Sequence, residues 1–76
     1  MNIYLLERMD GASYDEAAGF VVIAPDVAGA RELASKDPGD EGAATWLAPG
    51  LASCTLIGAA STSLDAHVVL RDFNAG

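Results

Sequence analysis

The chain has 76 residues, with 11 acidic and 4 basic side chains and a net charge of −7. A chain of this length supports one core, so residues 1–76 read as a single small acidic domain, and its charge sets it against nucleic acid and anionic membranes as direct partners. The 51% hydrophobic fraction includes fifteen alanines, which leaves few large apolar side chains and excludes anything thicker than one layer packed on another.

The first element is a strand over residues 2–9, a run of large apolar and aromatic side chains, followed by a turn at Asp10-Gly11-Ala12-Ser13. Residues 20–24 form a short β-branched run of the kind found in a central strand buried on both faces. Too few residues separate these strands for a crossover helix, so they pair antiparallel. Pro25-Asp26 announces a helix: Asp26 accepts from the free amides of the first turn, and its charge suits the positive helix end. Val27, Ala30, Leu33 and Ala34 share one face at helical spacing, Lys36 suits the C-terminal end, and Pro38-Gly39 stops the helix. Gly29 costs about 1 kcal/mol relative to Ala, so this helix depends on tertiary packing.

Residues 37–42 form a loop, and Trp46-Leu47 reads as a short extended piece stopped by Pro49-Gly50. Residues 54–59 give a third strand, 61–66 a turn and 68–73 the last strand. In that last strand Val68, Leu70 and Asp72 fall on one face, with Val69, Arg71 and Phe73 on the other. The class is α+β, a small antiparallel sheet of about four strands with one helix packed on a face, in the order β-β-α-β-β. An edge strand near the C-terminus is open to pairing with a second copy.

Cys54 is the only cysteine, which rules out an internal disulfide and a cysteine cage for metal, and points to a reducing compartment. Residues 1–4 do not begin a secretory signal, and the longest strongly apolar run, 20–24, falls far short of the ~20 residues that span a bilayer. The expected location is the cytoplasm.

Most candidate chemistry fails on residue type or spacing. His67 is the only histidine, and beside an apolar strand it reads as a packing or surface residue. Metal binding would need further ligands, and Asp65 alone does not supply them. Cys54 lies in an apolar run of a chain short of positive charge, where a thiol is structural and not nucleophilic. Asp37, Asp40 and Glu41 lack the alternating oxygens and late Glu of a calcium loop, and read as exposed carboxylates on a Pro-Gly turn. Asp15-Glu16 would do acid–base work only in a cleft, which a domain of this size seldom offers. There is no phosphate-cradling Gly-Lys-Ser or Gly-Lys-Thr and no serine elbow. No cofactor, metal or catalytic residue is assigned, and an enzyme built on Cys54 or His67 ranks last.

What remains is charge. Nine of the carboxylates precede residue 42, which suggests one strongly negative face built from Asp10, Asp15, Glu16, Asp37, Asp40 and Glu41. Alternate residues on a strand lie about 6.6–6.8 Å apart, on the scale of successive phosphates, so an acidic strand or hairpin can imitate a phosphate row. The partner such a face suits is a basic, nucleic-acid-binding protein surface, with Tyr14 as an aromatic anchor beside it. Phe20 is a second aromatic candidate, better suited to the core.

Asn2-Ile3-Tyr4-Leu5-Leu6, Tyr14-Asp15-Glu16, Gly19-Phe20-Val21-Val22, Ala30-Arg31-Glu32-Leu33-Ala34, Asp40-Glu41-Gly42, Trp46-Leu47, Cys54-Thr55-Leu56-Ile57-Gly58 and the closing 68–76 form a pattern running nearly end to end. It resembles a family of small acidic proteins of bacteriophages and prophages, most recognisably in the closing Phe-Asn-Ala-Gly and the Trp-Leu…Cys…Ile-Gly spacing. It is also similar to type I-C anti-CRISPR proteins. That resemblance implies an inhibitor that binds a type I CRISPR surveillance complex, Cascade, in the bacterial cytoplasm and blocks target-DNA binding by acidic mimicry of nucleic acid. The alternative is a phage accessory or structural protein with no defence role. The matching motifs are structural, and the Ala enrichment departs from the pattern by thinning both core and anchor patch.

Overall fold

The computed structural model describes residues 1–75; Gly76, which ends the Phe-Asn-Ala-Gly run, lies outside the described residues. The elements are β1 (Asn2–Arg8), β2 (Glu16–Ala24), α1 (Val27–Ser35), α2 (Ala44–Leu47), β3 (Ala52–Ala59) and β4 (His67–Asn74). The strands form one antiparallel sheet in the order β3-β1-β2-β4, and the two helices pack on each other and on one of its faces. This is the α+β architecture expected, with the apolar run 20–24 in an interior strand.

Cross-strand register decides which side chains meet the helices. Tyr4 lies opposite Val22, and Leu6 lies opposite Phe20 on one side and Cys54 on the other. Together with Trp46 these form the buried layer, in which Leu6, Phe20, Val22 and Trp46 are the largest fully buried side chains. The Phe20 and Trp46 rings meet edge to face, with centroids 4.7 Å apart and planes at 89°, the geometry that the aromatic quadrupole favours. Ala17, Ala24, Ala30, Ala34 and Ala52 are all fully buried. The alanine excess is therefore partly structural: small side chains let α1 lie close on the sheet, so that a few large ones fill the remaining volume. Asp26 caps α1 as expected, accepting from the Gly29 amide at 2.7 Å.

Two expectations fail for identifiable reasons. Trp46-Leu47 is not extended but forms the single-turn helix α2, in which the Trp46 amide donates to Ala43 and the Ala48 amide to Ala44. A helical turn buries the indole under Phe20, which an extended segment at the rim would leave outside. The faces of the last strand are also reassigned. Val22 pairs with Val68 and Val21 with Leu70, so Val69 is an extra, bulged residue. The bulge moves the alternation on by one. Val68 therefore shares the helix side with Arg71 and Phe73, which lie opposite Phe20 and Ala17, while Leu70 and Asp72 share the open side.

Trp46→Ala removes the largest core side chain and should cost about 3–5 kcal/mol. Set against the roughly 4–11 kcal/mol expected of a chain this long, that removes from about a quarter to all of the stability at 25 °C, as the fall in urea midpoint followed by circular dichroism will show.

Candidate functional site

The two segments that carry the expected acidic residues meet at one end of the sheet. The β1–β2 connection brings Asp10, Asp15 and Glu16 there, and the segment after α1 brings Asp37, Asp40 and Glu41. They are tied through the backbone: the Asp40 amide donates to the Asp15 carbonyl and the Asp15 amide to the Asn74 carbonyl, both at 2.6 Å. Asp15 sits at φ 60°, in the left-handed region that Asp tolerates better than most residues. Gly39 makes the junction possible. A Cβ there would collide with the Asp15 carbonyl, with Phe73 Cε1 at 2.7 Å and with Glu16 Cα at 2.9 Å, so only glycine allows the loop to lie against the sheet end.

The six carboxylates do different things. Arg8, whose side chain is only 8% exposed, pairs with Asp10 at 3.1 Å and Glu16 at 3.3 Å, and also donates to the Ala17 carbonyl. The hydrogen bond from Arg8 holds the Asp10 carboxyl below its ordinary pKa. Glu16 also accepts from the Ser13 amide at 2.9 Å. Arg71 donates to the carbonyls of Asp37 and Pro38 at 2.9 and 3.1 Å, lies 4.3 Å over the Phe73 ring and reaches the Asp37 carboxylate at 3.5 Å. Asp40 is exposed.

Glu41 is a structural residue and not the exposed turn carboxylate expected. Its Oε1 accepts from the amides of Ala17 at 3.0 Å and Gly39 at 2.8 Å, and its Oε2 accepts from the Trp46 indole at 2.5 Å. Burial pushes its pKa up, but the donors from Trp46, Ala17 and Gly39 outweigh this and hold it below the ordinary glutamate value. The sequence sign of this role is slight: a Glu five residues before a Trp whose N–H must find an acceptor when buried.

The carboxylates therefore form a cluster drawn from two loops and one strand end, not the strand-borne row that would copy phosphate spacing. Six carboxylates face two guanidiniums at this end, whereas the loops at the opposite end carry only Asp26 and Asp65. Tyr14 stands 73% exposed in the same hairpin loop, while Phe20 belongs to the core. Arg31, which sequence reasoning counted only as charge, donates to the carbonyls of Trp46 and Ala52 at 3.1 and 2.9 Å and so joins α1 to α2 and β3.

The remaining candidates stay apart from this cluster. His67 is exposed, with Nδ1 2.6 Å from the Asp65 carbonyl. Cys54 is half-buried beside Leu6; burial raises its thiol pKa, and nearby Arg31 only partly offsets this. Among the described residues no three His, Cys, Asp or Glu side chains gather as metal ligands, and no helix is long and apolar enough to cross a membrane. No family model, curated protein or solved structure matches the chain.

Two measurements follow. The depressed pKa of Glu41 means that its stabilising contribution is full above the unfolded glutamate pKa and is lost as pH falls through the lower folded value. Wild-type stability should therefore drop below about pH 4.3, and Glu41→Gln should be less stable at neutral pH and flatter through the acid range, read as urea midpoints against pH. The raised pKa of Cys54 implies slow alkylation of the folded protein near neutrality and fast alkylation in denaturant, measured with iodoacetamide and mass spectrometry.

Proposed function

We propose that this chain is a phage-derived inhibitor that binds the basic nucleic-acid-binding surface of a type I CRISPR effector and blocks its access to target DNA. The observation that carries the reading is the convergence of Asp10, Asp15, Glu16, Asp37 and Asp40 from two loops onto one end of the sheet. Glu41 belongs to the scaffold of that end and not to the surface it offers.

Physical chemistry gives the reading its mechanism. Effector complexes hold nucleic acid in positively charged channels. A rigid anionic end attracts such a channel, raises the rate of encounter and competes with phosphate for the same cations. The loops that carry the carboxylates are held by backbone hydrogen bonds and by Gly39 in the close approach described above, so little backbone ordering entropy is lost on binding. Tyr14, exposed in the same loop, supplies apolar area for a contact that outlasts the electrostatic encounter.

The test uses the purified type I effector and labelled target DNA. The wild-type chain should co-elute with the effector and suppress DNA binding, with potency falling as salt rises. The triple variant Asp15→Asn, Asp37→Asn and Asp40→Asn leaves Arg8, Glu16 and Glu41 in place but gives up the Arg71–Asp37 ion pair; with its fold verified by circular dichroism it should weaken binding by about tenfold or more. Removing charge instead at Glu32 and Asp65 should change little. Absence of co-elution at low salt, with DNA binding undisturbed, sinks the proposal.

A further inference from the structure

The face of the sheet turned away from the helices is apolar where a solvated face should be polar. An antiparallel sheet with one face in water normally alternates apolar-in with polar-out. Here β1 and β2 are apolar on both sides. The rows on the open face, read from the register, are Gly58, Ile3, Ile23 and His67; then Thr55, Leu5, Val21 and Leu70; then Ser53, Glu7, Gly19 and Asp72. Ile23 is already buried at 7% exposure, so the open apolar area centres on the next row, where Leu5 and Val21 are half-buried and Leu70 is 55% exposed. Among the described residues no helix packs on this side, because α1 and α2 share the other one.

We propose that this open face is a self-association surface, and that two copies stack face to face as a sandwich about a two-fold axis perpendicular to the strands. Three observations select a second copy. The first is area. Four strands about 4.8 Å apart and some eight residues long present roughly 500 Å² each, so two faces bury about 1,000 Å², the lower bound for a stable interface.

The second is charge. Of the 11 acidic residues only Glu7 and Asp72 fall in these rows, both in the row nearest the acidic end. A two-fold axis along the strands would gather the Glu7 and Asp72 carboxylates of both copies into one row and bring the two acidic ends together. An axis across the strands sets Asp72 of one copy over His67 of the other and sends the two acidic ends to opposite ends of the sandwich. That separation, on the order of the ~25 Å strand length, exceeds the ~8 Å screening length in physiological salt.

The third observation disfavours the alternative self-contact, edge-to-edge pairing. Both edge strands are bulged, β3 at Ile57 between the Tyr4 and Ile3 pairings and β4 at Val69. Bulges twist an edge away from a further strand. The face is flat-patterned and apolar in its central row, and the sandwich is the way two such layers bury it. This surface lies on the side of the sheet opposite the helices and its role does not depend on the acidic end meeting a CRISPR effector.

The experiment is analytical ultracentrifugation of the full chain over micromolar to millimolar concentration. The wild type should approach twice the 7.8 kDa monomer mass, and raised salt should tighten association by screening the net charge. Leu70→Glu places a charge at an already exposed position, so its fold should survive, as circular dichroism will verify; its dimer dissociation constant should rise at least about 100-fold. His67→Glu should weaken the dimer by setting a second carboxylate over Asp72 of the other copy. A wild type that stays monomeric at millimolar concentration overturns the proposal, as does a dimer indifferent to Leu70→Glu. A dimer unchanged or tightened by His67→Glu overturns the orientation.

Discussion

The carboxylate of Glu41 is the constraint on which the two halves of this small fold depend. One oxygen is shared by the amides of Ala17 and Gly39 and the other takes the indole N–H of Trp46. These donors belong to the second strand, to the loop after the long helix and to the short helix, so one carboxylate ties three segments together. The indole can be fully buried because its one polar atom is satisfied there. With Trp46 buried, Phe20 has its edge-to-face partner and the core has its largest member. Every buried side-chain polar atom among the described residues finds a partner, which a core this thin needs because one orphan would consume a large share of its stability.

The arginines explain how a protein with so few cations becomes so anionic outside. Arg8, Arg31 and Arg71 are each engaged with backbone carbonyls: Arg8 with Ala17, Arg31 with Trp46 and Ala52, and Arg71 with Asp37 and Pro38. A guanidinium presents several donors in a planar fork, so one residue ties two or three segments at once. The cations thus serve as internal fasteners, and the loop carboxylates at the acidic end outnumber them. The electrostatic character of the acidic end follows from this division of labour as much as from the count of charges.

Much of the architecture was legible because local signals and tertiary structure agree. Asp26 before Val27 marks a cap, the β-branched run at 20–24 marks an interior strand, and Pro38-Gly39 marks the end of the helix. The failures occur where a long-range contact outweighs a local pattern. Trp46-Leu47 looks extended until Phe20 and Glu41 are there to receive the ring. The faces of the last strand follow simple alternation until the extra residue Val69 shifts it, and a bulge has no sequence mark without glycine. For the acidic cluster the residue list could be read from position in the chain, but the roles could not. Glu41 and Asp40 are adjacent and alike in type, and only the fold makes one a fastener and the other a surface charge.

The register of the sheet also sets the order in which this protein can come into being. Arg8 pairs with Ala52 and Asn2 with Ala59, and Ile23 with His67 and Glu16 with Asn74, so both outer strands join partners 44 to 58 residues earlier in the chain. Such non-local pairings fold slowly, because loop closure must precede the contacts that reward it. During synthesis the first hairpin and the long helix emerge first, with the apolar face of that hairpin uncovered. The junction of Asp15 with Asn74, and the hold of Arg71 on the 37–38 carbonyls, cannot exist until residue 74 has left the ribosome. The negative end is therefore assembled as the fold completes, and a nascent or truncated chain lacks the surface even though it already carries most of the charges.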